Sequence, residues 1–342
     1  MKCYLFSRKH LVVLLVLLGM VALLGIGIFL YHSIETPLLS TNASNQTIKV
    51  YKGDQLGSVV RRLETRHLLK HPWIFILYTR WRHLDRSLKV GEYTIEAGMT
   101  FPQLIQNIIQ RKVVIHTIQF IEGWTFLQFK KNIQRHRTLR HTLTRSSDKK
   151  IMNRLQSQYQ SPEGLFFPDT YAYTGGDSDL DILKRAYDRM QAVFDFEWLH
   201  RKAALPYHNK YEALIVASLI ETEARFDDER TKIAGVIIRR LNKWMPLQID
   251  ATINYGLGYP YGHKLTKADL RKNTPYNTYL HYRLPPTPIC MPGRKSIYAA
   301  LHPDNRDTLY YVAKGDGRHV FSKNYAGQEK AVERYQVKSD ET

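Results

Sequence analysis

The sequence predicts an α+β protein carried on one apolar N-terminal helix. Three observations lead there. Residues 11–30 read LVVLLVLLGMVALLGIGIFL, twenty apolar residues without a charge. A unit of β-rich stretch, glycine and amphipathic helix recurs three times between 47 and 135. A helix that is apolar on all sides then ends in two glutamates, Glu221 and Glu223. The chain has 342 residues and a formal charge of +19. Its 44% hydrophobic content supplies real cores and excludes a disordered tail protein. Two cysteines exclude a disulfide-built scaffold, and no Cys or His cluster has zinc-ligand spacing.

The apolar stretch has the length that crosses about 30 Å of hydrocarbon. A cleaved signal peptide is the alternative. It has a shorter apolar core and a small-x-small exit, which Tyr31-His32-Ser33-Ile34-Glu35 does not offer. Lys2, Arg8 and Lys9 precede the span and Glu35 is the first charge after it. The positive-inside rule therefore expects residues 1–10 in the cytoplasm, a transmembrane helix over 11–30 and export of the rest. Cys3 and Cys290 then lie on opposite sides of the membrane, with Cys290 a buried lone thiol. Asn42-Ala43-Ser44 and Asn45-Gln46-Thr47 are acceptor triplets that matter only in a eukaryotic lumen.

Residues 31–46 read as a polar tether. The first repeated unit is Ile48 to Gly53 followed by Leu56, Val59, Val60 and Leu63, continuing through Trp73, Ile74, Leu77 and Tyr78, aromatics expected mostly in the core. The second is Tyr93 to Gly98 followed by Phe101, Leu104, Ile105 and Ile108. The third is Ile118 to Gly123 followed by Phe126, Phe129 and Ile133. Period-2 stretches broken by glycine and followed by i, i+3, i+4 spacing mean strand, turn, helix. Asp54, Thr100 and Thr125 stand where N-caps belong. These units form one expected domain, 47–135.

A basic linker is expected over 136–160. Residues 130–150 hold eight Lys/Arg against one Asp, a solvated face or a dwelling place near anionic headgroups or polymer. The excess charge invites a nucleic-acid partner, but export behind an anchor argues against one. The remainder, 161–342, forms the last domain. Its Ser161–Tyr171 segment is rich in aromatics and turn residues that line a sugar cleft or pack a loop. Ser178 caps a helix with Leu180, Leu183, Tyr187, Met190 and Phe194 on one stripe, and Asn209 caps the next.

That next helix carries the candidate chemistry. A carboxylate near a helix C-terminus faces the negative end of the dipole, and burial disfavours its charge. Both effects push Glu221 or Glu223 toward the range of a general acid; the alternative is two solvated polar residues at a helix end. A second helix follows with Ile233, Val236, Ile237 and Leu241 on its apolar face. Then come Leu247-Gln248-Ile249-Asp250-Ala251-Thr252 and a Pro/Gly/Tyr-rich loop that suits a carbohydrate groove.

These segments carry a resemblance to the YceG-like family of membrane-anchored endolytic murein transglycosylases. Its hallmark resembles Ala217-Ser218-Leu219-Ile220-Glu221-Thr222-Glu223, Glu229-Arg230 and the stretch from Leu247 to Thr252. Pro275-Tyr276-Asn277-Thr278-Tyr279, Leu284-Pro285-Pro286-Thr287-Pro288-Ile289, Pro292-Gly293 and the ending from Tyr310 to Ser322 are similar to later signatures. Arg283 stands where glycine is expected, and Cys290-Met291 depart from the usual small residues or Asn. The resemblance implies a LysM-like membrane-proximal domain over 47–135, a mixed α+β catalytic domain over 161–342 and no cofactor or metal. It implies an enzyme of the bacterial inner membrane whose catalytic domain is periplasmic. Peptidoglycan glycan strands are the expected substrate, the membrane an expected partner, and peptidoglycan synthases candidate partners. Glu221 aligns with the catalytic acid, with Glu223 its nearest rival. Gln248, Asp250, Tyr276, Asn277, Thr278, Tyr279, Glu223 and Glu229 are candidate substrate contacts, and Glu229 is expected to pair with Arg230 or Arg239 or to orient the site. Two other functions fit the residues: a non-catalytic peptidoglycan-binding membrane protein, and a hydrolytic muramidase using Glu221 with Asp250 or Glu229.

Overall fold

The computed structural model describes residues 8–51, 53–84 and 88–337; Lys2 and Cys3 lie outside them. The chain divides into two compact units, one of residues up to His116 with Thr174–Gly176, the other of Thr117–Tyr173 with the rest of the chain.

The first unit begins with α1 (Arg8–Glu35), whose apolar residues are exposed along its length. At 1.5 Å per residue it is about 42 Å long, enough to cross a bilayer. A small α+β body follows: β1 (Gln46–Val50), α2 (Leu56–Thr65), α3 (Pro72–Trp81), β2 (Gly91–Ile95) and α4 (Phe101–Ile109). The two strands pair antiparallel, with Ile48 opposite Tyr93. Leu56, Val59, Val60 and Leu63 of α2 meet Phe101, Leu104, Ile105 and Ile108 of α4 in one core. Gln103 of α4 accepts from the Thr100 N–H at 2.9 Å, so the expected start at Thr100 is found. Asp54 does not cap α2: Gln55 holds that position, and the Asp54 carboxylate instead accepts from the Tyr51 N–H at 2.7 Å and from Arg62. The expected tether is ordered. α1 runs on to Glu35, and Leu38 and Leu39 are buried in the unit's core, with the Leu38 N–H bonded to Met99 O at 2.8 Å. Two short apolar residues in a polar run suffice to fold it down. Of the α3 residues named with that unit, Ile74 is buried as expected, whereas Trp73 and Leu77 are exposed.

The second unit takes the third strand–turn–helix repeat, which was expected in the first domain. β3 (His116–Gln119) pairs with β4 (Thr170–Tyr173), and α5 (Phe126–Arg135) follows. Phe120 stacks on Phe129 at 4.1 Å and Phe126 on Phe166 at 5.0 Å, which ties this repeat to the larger core. The basic stretch is also structured. Leu139, Leu143, Ile151, Met152 and Leu155 are buried, and α6 (Asp148–Arg154) forms within it behind Ser147. Apolar residues every four or so positions anchor the stretch while its Lys and Arg stay solvated. Then come α7 (Asp179–Leu199), capped by Ser178, and α8 (Lys210–Glu223), capped by Asn209 accepting from the Glu212 N–H at 3.1 Å. Positions 213–220 of α8 are all buried, as its all-round apolar sequence requires. It is surrounded by α9 (Asp227–Asn242), α10 (Asp250–Leu257) and α11 (Arg294–Leu301). The hairpin β5 (Tyr310–Ala313) and β6 (His319–Ser322) and α12 (Tyr325–Val332) complete the unit.

Candidate active site

The C-terminal turn of α8 presents Glu221 to a cleft of about 520 Å³. Loop 122–125, the end of α10, the segment 258–261 and residues 289–290 form the rest of its wall. Backbone bonds sew the wall together. The Gly123 N–H donates to Met291 O at 2.9 Å, and the Met291 N–H donates to Trp124 O at 2.8 Å. Ser218 on α8 accepts from the Ile289 N–H at 3.1 Å, so the 289–293 segment is fixed to the helix that carries Glu221. Gly123 has φ +77°, the left-handed region that favours glycine, and a Cβ there would stand 3.9 Å from the Glu221 Cγ.

Glu221 is held from two sides. Its Oε2 accepts from the Gly293 N–H at 2.9 Å, and its Oε1 lies 3.3 Å from the Arg230 guanidinium. Arg230 is itself buried and also bonds Asp227 and Ser296. A second carboxylate, Glu122, lies against Gly293, so close that a Cβ at residue 293 would strike its Oε1. Burial, then the charge of Glu221, pushes the Glu122 carboxyl above its ordinary range. The cleft therefore contains a carboxyl pair meeting at Gly293, not a lone acid. Aromatic rings complete it: Trp124, Tyr255, Tyr259 and Tyr261, the last donating to Thr222 O at 2.6 Å. Beneath Tyr255 a third carboxyl, Glu163, accepts from the Tyr255 hydroxyl at 3.1 Å and the Phe126 N–H at 2.9 Å, and burial raises it to about 7. Cys290 is buried beside the site, and its thiol is pushed well up by that burial. Among the described residues no cluster of His, Cys, Asp and Glu could hold a metal.

The other candidate residues divide by position. Glu223 is not in this cleft. It bonds Tyr311 and lies near Asp250, and burial raises it to about 7. Asp250 accepts from the Tyr279 hydroxyl at 2.6 Å, and Gln248 accepts from Arg240 at 3.3 Å. Glu223, Gln248, Asp250 and Tyr279 thus form a second polar cluster. Tyr276 packs edge-on to Tyr255 at 4.9 Å and shares a hydrogen bond with Thr287. Asn277 is fully buried, with its amide donating to Leu270 O and Lys272 O and its oxygen accepting from the Tyr279 N–H. Thr278 is equally buried and accepts from the Ile249 N–H at 3.0 Å. Asn277 braces the loop from within and Thr278 holds it to the 247–252 segment, so the polar groups of both are engaged within the protein. Glu229 pairs with neither Arg230 nor Arg239. It accepts from the His319 N–H at 3.1 Å and contacts its ring at 2.9 Å, because the β6 strand crosses the start of α9 there. Arg239 instead reaches Asp304 and Thr308. The Ser161–Tyr171 segment packs the core beneath the cleft: Glu163, Leu165, Phe166 and Phe167 are buried.

A second cleft of about 500 Å³ lies between Tyr211, Glu212, Trp244 and Arg283. Its carboxylate, Glu212, is engaged by the His208 N–H at 2.8 Å. Arg283 has φ +97°, which accounts for glycine being the expected residue, and its guanidinium stacks 4.2 Å from the Trp244 ring.

The described residues thus define a mixed α/β protein with one helix long and apolar enough to span a membrane and a carboxylate-bearing aromatic cleft. The chain belongs to the YceG-like family, which matches residues 48–334. An endolytic murein transglycosylase of Bacillus subtilis is 30% identical over 90% of both chains. One of Streptococcus pneumoniae is 25% identical over 90% of this chain, which spans 62% of that longer relative. A crystal structure of a YceG-like protein from Listeria monocytogenes covers 84% of this chain and 99% of its own at 26% identity, with a TM-score of 0.52.

Proposed function

We propose that the chain is an endolytic murein transglycosylase anchored by α1 in the bacterial inner membrane, with residues beyond α1 in the periplasm. The observation that carries this reading is the placement of Glu221: it is oriented by Arg230 and the Gly293 N–H, beside Glu122, in a cleft faced by aromatic rings. Ring faces stack on pyranose faces, and a carboxyl in reach of the bond between them supplies the proton.

The bond cleaved is the β-1,4 linkage between N-acetylmuramic acid and N-acetylglucosamine. Glu221 gives its proton to the bridging oxygen as the bond to the muramic C1 breaks. The resulting carboxylate then removes the proton of the same sugar's C6 hydroxyl, whose oxygen bonds to C1. The acid is regenerated, no water enters, and the new end is 1,6-anhydromuramic acid. Glycosidases that use water place two carboxyls across the bond. Here the second carboxyl, Glu122, shares the Gly293 corner with Glu221, and burial, then the charge of Glu221, holds it above its ordinary range. The Arg230 guanidinium, 3.3 Å from Glu221, steadies the carboxylate formed midway.

In the first unit the order β1–α2–α3–β2, with its antiparallel pair, supports a LysM-like glycan-gripping module over the membrane-proximal part of the chain. Peptidoglycan synthases, which make the strands, are the partners such an enzyme would work beside.

Product analysis tests the function. The full-length chain in detergent or bilayer is incubated with uncrosslinked glycan strands, and the new ends are identified by mass. Anhydromuramic ends within strands are expected. Reducing ends would make the chain a muramidase with Glu122 as the second carboxyl, and intact strands would make it a binding protein.

A further inference from the structure

The helix α3 carries a stripe that neither unit's core uses. Trp73, Leu77 and Trp81 recur every four residues, within about 80° of helix circumference. They are 56%, 55% and 73% exposed, while Phe75 and Thr79 on the other side of the helix are buried. The helix begins against the anchor. The ring of His71, immediately before α3, lies 5.5 Å from that of Phe29, which belongs to the apolar span of α1. Leu38, Leu39 and the Pro37–Thr100 bridge hold the body to the end of α1 without a slack tether. Whatever surrounds Phe29 therefore also reaches the start of α3.

The charge around the stripe is of one sign. Between Thr65 and Leu84 the sequence has no Asp or Glu, whereas Arg66, Lys70, Arg80 and Arg82 are present, all of them exposed. Arg82 lies over the Trp81 ring at 6.0 Å. Tryptophan is favoured at the boundary of hydrocarbon and headgroups, and a helix with Trp/Leu on one face and flanking cations lies in that plane. Anionic lipid adds a further attraction to each cation.

We propose that α3 is a membrane-interface helix: its Trp73–Leu77–Trp81 stripe is seated in the outer leaflet of the bilayer that α1 crosses, with Arg80 and Arg82 at the headgroups. The occupant is lipid and not a second protein because α3 starts beside Phe29, within the exposed apolar span of α1. The helix then fixes the orientation of the first unit on the membrane. The inference rests on α1 being a membrane span.

The test uses the full chain in bilayer nanodiscs containing phosphatidylglycerol. Single nitroxide labels are placed at Leu77→Cys, at Leu18→Cys in α1 and at Tyr51→Cys at the end of β1, each with Cys3→Ser; the remaining thiol, Cys290, is buried. Collision of each label with oxygen and with a water-soluble nickel chelate is measured. The label at residue 77 is expected to favour oxygen, as the one at 18 does, with the reverse preference at 51. A water-like label at 77 beside a lipid-like one at 18 overturns the inference and leaves the anchor intact. A water-like label at 18 removes the anchor, and the inference with it. Dipolar coupling between 77 labels on two copies would put a second chain on the stripe and also overturn it.

Discussion

The two faces at the end of α8 carry glutamates two residues apart in different surroundings. Glu221 opens onto the aromatic cleft, against Arg230, Gly293 and Glu122. Glu223 turns to the β5 side, where Tyr311 and the Asp250–Tyr279 pair enclose it. Residues two apart on a helix do not share a face, so the same helix end builds a cleft acid and a packing acid. The difference teaches that perturbed titration does not by itself mark a catalytic group. Burial raises Glu223 and Glu163 to about 7, yet Glu223 faces away from the cleft and Glu163 lies under its floor.

The largest effect is expected at the cleft face. Glu221→Gln keeps the size of the side chain but cannot carry the proton, so turnover of glycan strands should fall by about 10²–10⁴ while the circular dichroism melt is retained. Retained turnover would remove Glu221 from the chemistry. A smaller effect is expected one residue layer away. Glu122→Gln should lower kcat/KM by about tenfold, equivalent to about 1.4 kcal/mol, and should alter the pH–rate profile because it removes a carboxyl that burial holds above its ordinary range. A profile identical to wild type would make Glu122 a wall residue only.

The smallest effect on activity is expected beneath the cleft, at Glu163, where the readout is stability. Its folded pKa of about 7 lies above the ordinary 4.5, so the folded state binds the extra proton between those values. Its contribution is fully present below pH 4.5 and is lost as pH rises through about 7, by up to about 3 kcal/mol. Glu163→Gln should flatten the fall in Tm across that window; an unchanged slope would show that other groups carry it.

Much of this comparison was legible in the sequence. The all-round apolar run 213–220 announced a buried helix, and its final glutamates followed from it. The third strand–turn–helix repeat was also readable, but not its membership: Phe120 and Phe126 find Phe129 and Phe166 only once the chain closes. Glu122 escaped as a site residue for the same reason, since it reaches Glu221 through the backbone bonds joining Gly123 and Trp124 to Met291. The cue available was a glutamate before a turn glycine and a tryptophan. Asn277 and Thr278 read as sugar contacts because polar residues in an aromatic loop resemble a groove, whereas their hydrogen bonds are spent inside the fold.

The most direct test of the central claim, that the cleft face of α8 carries the chemistry, is the ratio of kcat/KM for Glu221→Gln and Glu223→Gln on the same glycan strands, both variants confirmed folded. The account predicts that Glu221→Gln is the slower by at least about 10², with Glu223→Gln near wild type. Equal rates, or a slower Glu223→Gln, would contradict it and move the acid to the Tyr311 side.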